Sequence, residues 1–208
     1  MTATLEKKKA ETALPVKHKL REVWLDKAMA KVRTHFKHAG YDVPDNVRVG
    51  VGWPSKSALG VKSRRIGEAW SNSCSKDETH EIIISLWIED PVKVLGILIH
   101  EVVHVTVGVE HGHLKPFVDC MIAVGLEGKP TATGETAELV AKLKTWIDVL
   151  GAYPHAQLDG KNQKKQSTRL IKLACSDCGA IIRTSNKWIE CHGTEWPCPC
   201  EGILRLED

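Results

Sequence analysis

Asp90-Pro91-Val92-Lys93-Val94-Leu95-Gly96-Ile97-Leu98-Ile99-His100-Glu101-Val102-Val103-His104-Val105-Thr106-Val107-Gly108 is the stretch on which the reading of this chain turns. Asp90 can cap a helix and Pro91 suits the first helical position, so a helix starts here. Val94, Leu95, Leu98 and Ile99 carry it forward, and it is expected to end near Gly108. Lys93, His100, Glu101 and His104 break the apolar run Val92 to Val109, so it is not a membrane span. On such a helix His100 and His104 stand four residues apart and share a face. Two neutral imidazoles at that spacing can hold one Zn²⁺, with Glu101 beside them as general base for a metal-activated water. The pattern points to hydrolytic chemistry, most simply of peptide bonds.

A catalytic zinc takes a third protein ligand. Just past the helix lie Glu110, His111 and His113, where Gly108 and Gly112 let the chain fold back. In the metzincin pattern H-E-x-x-H-x-x-G-x-x-H the glycine and last histidine would fall one residue earlier than Gly108 and His111, which excludes that assignment. His113 and His111 remain alternatives as the third ligand. Glu110 is a candidate acceptor that would fix the tautomer of a ligand imidazole. His155 has no motif around it and reads as structural.

Upstream, Val23, Leu25, Ala28, Met29, Val32 and Phe36 form a helical stripe over Leu20 to Ala39, closed by Gly40. Three strand-like runs follow: Val47 to Trp53, Arg65 to Trp70, and His80 to Trp87. A basic, Ser-rich loop with Lys56, Lys62 and Arg64 joins the first two. Downstream, helices are expected over Lys115 to Val124 and Glu135 to Leu150. The order helix, strands, helices predicts an α+β domain with the metal helix packed on a small sheet. The boundaries read as a solvated basic tail over residues 1–18, a metal domain over 19–150, a polar linker over 151–168, and a cysteine-rich end over 169–208.

Five of the seven cysteines lie between Cys175 and the C-terminus. Cys175-Ser176-Asp177-Cys178-Gly179 is a zinc knuckle, two thiolates gripping one ion around a tight turn. The second pair comes from Cys191, His192, Cys198 and Cys200. Strand-like runs at Arg169 to Leu173, Ala180 to Thr184 and Gly202 to Leu206 fit a zinc ribbon with a closed, structural metal site. Cys74 and Cys120 read as ordinary thiols.

Bulk properties add little. A formal charge of +3 neither demands nor excludes nucleic acid. The polar, Lys-rich start has no apolar segment of the signal-peptide kind, so a soluble, cytoplasmic protein is expected. Lys161, Lys164, Lys165, Arg169, Lys172, Arg183 and Lys187, with Trp188 and Trp196 among them, read equally as a solvated basic surface or as a nucleic-acid-binding face.

These motifs together resemble the SprT-like metallopeptidases, which include Spartan-type DNA–protein crosslink proteases and many phage-encoded members. The resemblance is carried by His100-Glu101-x-x-His104, by Gly112-His113-Leu114-Lys115-Pro116-Phe117, and by Trp24-Leu25. It extends to Val51-Gly52-Trp53-Pro54-Ser55-Lys56, Arg65-Ile66-Gly67-Glu68, Glu81-Ile82-Ile83-Ile84-Ser85, Val124-Gly125-Leu126-Glu127-Gly128-Lys129 and the terminal ribbon. The phage branch is the nearest match, and a phage protein would work in the host cytoplasm. The resemblance implies a zincin-like fold, His113 as the third ligand of a catalytic zinc, and Cys175, Cys178, Cys198 and Cys200 around a structural zinc. It also implies a protein substrate associated with or crosslinked to single- or double-stranded DNA. A reading of a different class makes the chain a non-catalytic nucleic-acid-binding or regulatory module that holds its zinc structurally. The intact Glu101 favours the enzyme, because a binding module has no use for it.

Overall fold

The computed structural model describes residues 14–60, 63–159 and 170–206. Lys62, Arg169 and the expected tail and linker residues 1–13 and 160–168 lie outside these. The chain is mixed α+β and divides into two compact units, residues 1–160 and 161–208.

In the first unit, α1 (Arg21–His38) presents Trp24, Leu25, Ala28, Met29, Val32 and Phe36 to the core. Trp24 belongs to this buried face and the exposed Val23 does not, a one-residue correction to the expected stripe. The Trp24 indole is held because its Nε1 donates to Gly151 O at 3.0 Å. Strands β1 (Val47–Gly52), β2 (Gly67–Trp70) and β3 (His80–Ser85) form one sheet in the order β1-β3-β2. β1 runs parallel to β3 and β2 antiparallel to it, with Val49 opposite Ile82 and Glu68 opposite Ile83. Side chains alternate along β3, so Ile82 and Ile84 enter the core while Ile83 faces the other side. β3 stops at Ser85, two residues short of the expected Trp87, where the chain turns and Ile88 N bonds back to Ser85 O.

The helix expected to carry His100 and His104 is α2 (Pro91–Val107), started by Asp90, whose carboxylate accepts from Lys93 N at 2.8 Å, and ended at Gly108. Residues on every side of it are buried, from Val94 through Val105, because β2, β3 and later elements of the chain all pack around it. Helix α3 (Lys115–Ala123) follows a short turn. Two short strands absent from the sequence reading, β4 (Leu126–Lys129) and β5 (Ala132–Glu135), then form an antiparallel hairpin. Helix α4 (Ala137–Leu150) begins at Ala137 rather than Glu135, with the Thr136 side chain accepting from Leu139 N as its cap.

Both flanks of this unit are tied to it. Lys17 Nζ donates to Asp148 O and Val149 O at 2.9 Å each, capping the exposed carbonyls of α4. After α4 the chain turns back: Tyr153 packs edge-on against Trp24, and Leu158 N bonds to Leu86 O. His155, read as structural, bridges Arg21 Nη1 at 2.8 Å and Leu86 O at 3.0 Å.

The second unit is a four-stranded antiparallel sheet in the order β7-β6-β9-β8, made of β6 (Ile171–Cys175), β7 (Ile181–Thr184), β8 (Trp196–Pro197) and β9 (Ile203–Leu206). A short helix, α5 (Asn186–His192), capped by Ser185, joins β7 to β8. The buried core is Leu173, Cys175, Cys198 and Leu204. So small a core, half of it cysteine, does not by itself offset the chain entropy of the unit.

Candidate metal centres

His100 and His104 project from one face of α2, one helical turn apart. Beyond Gly108 a short 3₁₀ turn (Val109–His111) leads to Gly112 at φ +52°, a conformation that strains any side-chain-bearing residue. The reversal at Gly112 brings His113 against the helix. The three imidazoles offer nitrogens that all lie within 4.8 Å of one another. Their ring centroids are 5.2 Å apart for His100 and His104, 5.6 Å for His100 and His113, and 4.7 Å for His104 and His113. Of the two histidines left open by the sequence, His113 joins the group and His111 does not.

Phe117, fully buried on the first turns of α3, packs against all three rings at 5.0, 4.5 and 4.8 Å from His100, His104 and His113. His100 Nδ1 lies 2.9 Å from the Thr133 hydroxyl on β5, which leaves Nε2 for a ligand. Glu110 does not serve as the imidazole acceptor; its carboxylate lies beside Gly108 instead. His104 Nδ1 and His113 Nε2 are buried ring nitrogens with no hydrogen-bond partner. Burial lowers His100 to about 3 and His104 to about 4, with the neighbouring rings adding to the effect, and it lowers His113 as well. Neutral rings whose nitrogens converge within 4.8 Å are the donor set a divalent metal such as zinc takes, so the group fits a metal ion.

Glu101 is buried at 6 % exposure. Burial pushes its carboxyl up to about 8, against the pull of Arg65 and with the help of Glu68. It fits only because Gly67, the first residue of β2, has no side chain: a Cβ there would stand 2.3 Å from Glu101 Oε1. Next along the strand, Glu68 accepts from Ser55 N at 2.8 Å, from Ser55 Oγ at 2.6 Å, and from Arg65. Burial opposes the Glu68 charge, yet these donors hold its carboxyl below the ordinary value. The loop after β1 is thereby fixed at the rim of the site.

The histidines and Glu101 open on a cleft of 970 Å³. One wall is Arg65 to Ala69, and the other is Ala132, Thr133 and Glu135 of the hairpin. The volume is at the upper end of small-molecule pockets. Thr133 and Gly67 escaped the sequence reading as site residues. Neither carries a motif, and each acts through a neighbour about 30 residues away in the chain, 33 for Thr133 and His100.

In the second unit Cys175, Cys178, Cys198 and Cys200 converge, their sulfurs all within 4.8 Å. Cys175 and Cys200 Sγ are 3.6 Å apart, as are Cys178 and Cys198. That spacing is far beyond a disulfide bond of about 2.05 Å. It is close to the ~3.8 Å edge of a sulfur tetrahedron around zinc with bonds of about 2.3 Å. The backbone N–H groups of Cys178 and Asp177 lower the Cys175 thiol to about 7, toward the thiolate a metal needs. Four sulfur donors with no open position fit a structural ion. Cys191 sits exposed on α5 and takes no part, and neither does His192, whose ring lies over Trp188 at 4.2 Å.

Comparison with family models, with curated proteins and with solved structures finds no match. Among the described residues no helix is long and apolar enough to cross a membrane.

Proposed function

We infer that the chain is a zinc-dependent metallopeptidase of SprT-like, zincin-like type, acting on DNA-associated proteins. One observation carries the reading: a buried carboxylate, Glu101, stands beside three converging imidazoles at the floor of an open cleft. A purely structural ion is enclosed, as in the four-cysteine group, and needs neither an adjacent buried carboxylate nor a cleft.

In the mechanism, His100, His104 and His113 would hold the ion, with Phe117 keeping their rings in place. Zinc, when bound, supplies Lewis-acid polarisation of the scissile carbonyl and lowers the pKa of water to around 7. Glu101 accepts the proton of the attacking water and returns it to the departing amine nitrogen. Burial raises its carboxyl above the ordinary carboxylate range, the direction that helps it pass the proton on. The walls at Arg65–Ala69 and Ala132–Glu135 hold the substrate segment over the three histidines.

The ribbon delivers the enzyme to nucleic acid. Trp188 is about half exposed, with Arg183 and Lys187 exposed near it in sequence, and can stack on an unpaired base. Lys172, Arg183, Lys187 and Arg205 are outnumbered by Asp177, Glu190, Glu195, Glu201, Glu207 and Asp208. The electrostatic drive therefore comes from Lys161, Lys164, Lys165 and Arg169 preceding the sheet.

Glu101→Gln tests the reading. Full-length wild type loaded with Zn²⁺ cleaves an unstructured protein such as casein, faster when single-stranded DNA is present. Glu101→Gln keeps its metal content and loses the activity. Equal hydrolysis by wild type and variant would sink the proposal.

A further inference from the structure

The hairpin β4–β5 packs against α2 through β5, beside the face that β2 covers. Thr133 and Glu135 are two apart on β5, so both side chains leave the same face of the strand. That face meets α2 at Lys93, Gly96 and His100, positions three to four apart on one helical stripe. Lys93 Nζ donates to Glu135 Oε2 at 2.9 Å. The Glu135 side chain lies so close over Gly96 that a Cβ there would stand 1.8 Å from Oε1. Two turns from Lys93, Thr133 Oγ1 meets His100 Nδ1 at 2.9 Å. Helix and hairpin are thus pinned at both ends of a contact about 10 Å long, at ~1.5 Å rise per residue.

The geometry points to Thr133 as the residue that fixes the ring orientation of His100 and accepts its Nδ1–H when an ion is held, with the Lys93–Glu135–Gly96 contact holding Thr133 in place. The inference rests on the three-histidine group being a metal site. A neutral imidazole carries one proton. If the Thr133 hydroxyl donates to Nδ1, the proton sits on Nε2 and that nitrogen cannot bind an ion. If Nδ1–H donates to Thr133 Oγ1, Nε2 presents its lone pair toward His104 and His113. A hydroxyl can serve as either donor or acceptor, so it holds the ring at one angle in both cases. Ion binding then selects the second tautomer without moving the ring. A carboxylate in this place would hold only the Nδ1–H form and would add a charge to a site that already contains Glu101. Thr133 does the orienting without that charge.

Full-length Thr133→Val and Thr133→Ser are titrated with Co²⁺ and with Zn²⁺ against a competing chelator. Valine preserves shape and strand preference and removes the hydroxyl; serine restores it. The visible band of a nitrogen-ligated Co²⁺ separates this site from the sulfur charge-transfer bands of the four-cysteine site. Affinity at the histidine site should fall roughly 10- to 100-fold in Thr133→Val, the usual cost of losing a hydrogen-bond partner behind a metal-binding histidine. Its Co²⁺ band should shift, while metal-free melting stays that of wild type and Thr133→Ser recovers the affinity. Unchanged affinity and spectrum in Thr133→Val overturn the role of Thr133. So does a weakened affinity that serine does not restore and that tracks a lowered metal-free melting temperature, which marks a structural contact only. Absence of any nitrogen-type Co²⁺ band in wild type overturns the metal site itself, and with it the proposed enzyme.

Discussion

Gly67 decides where Glu101 can sit. A methyl group at this position would meet Glu101 Oε1 at 2.3 Å and Ile97 Cγ2 at 2.6 Å. The isoleucine is locked in the core face of α2, so the carboxylate is the group that gives way. Gly67→Ala should leave His100, His104 and His113 where they are, and metal content should stay at the wild-type level. Hydrolysis should drop about 100-fold, the loss that accompanies roughly 1 Å of misplacement of a catalytic group. Steady-state kinetics beside metal analysis checks this. Wild-type turnover in Gly67→Ala would mean that Glu101 is not the proton carrier or that its position does not matter. His100, Glu101 and His104 could be read directly, because the helical period ties their spacing to one face. His113 could not be separated from His111 on spacing alone; the reversal at Gly112 decides between them, and it depends on a backbone conformation.

Among the elements, α2 was legible from end to end. Its start is written in Asp90-Pro91 and its end in Gly108, and an apolar run between such signals leaves few alternatives. The hairpin was not. Leu126-Glu127-Gly128-Lys129 and Ala132-Thr133-Gly134-Glu135 have four residues each, one large apolar side chain between them and no sustained alternation. What fixes them is contact of β5 with α2 and of β4 with α3, and not their own pattern. The same holds for the join between α1 and α4, where a histidine serves as a polar link. His35 Nε2 is 2.9 Å from Val124 O, and Lys142 Nζ is 2.8 Å from His35 Nδ1. Since Lys142 can only donate, the ring is neutral, with Nε2–H donating to Val124 O. Burial lowers the His35 pKa, the Val124 carbonyl opposes that, and the charges of Lys142 and His38 add to it. In the unfolded chain His35 takes up a proton below about its ordinary 6.5, while the folded protein resists it. This contribution to stability is therefore complete above 6.5 and declines as pH falls below it. His35→Gln can make both hydrogen bonds without titrating, so its melting temperature should fall less than that of wild type between neutral and mildly acid pH. Superimposable profiles of melting temperature against pH would show that His35 does not titrate across folding.

At the scale of the molecule, two compact units each gather one set of metal donors: three imidazoles in residues 1–160 and four sulfurs in residues 161–208. The donor chemistry differs as well. An ion held by nitrogen donors at the floor of a cleft would leave to a chelator and return with the surrounding core intact, because Trp24, Leu98, Phe117 and their neighbours would remain packed. The sulfur site is the centre of its unit. With a core of Leu173, Leu204 and two of the ligands themselves, removing the ion removes much of what opposes unfolding there. Metal loss should therefore have two distinct consequences. Wild type should carry two equivalents of zinc. His104→Ala should lose one of them, abolish hydrolysis and leave the amide protection of β6 and β9 unchanged. Cys178→Ser should lose the other and strip protection from β6, β7 and β9, while α1, α2 and α4 keep theirs and casein is still cut in the absence of DNA. Metal analysis with hydrogen exchange on the three proteins measures all of this. If either single variant lost both metals, the sites would be coupled, and the separation of a cutting unit from a zinc-held binding unit would be wrong.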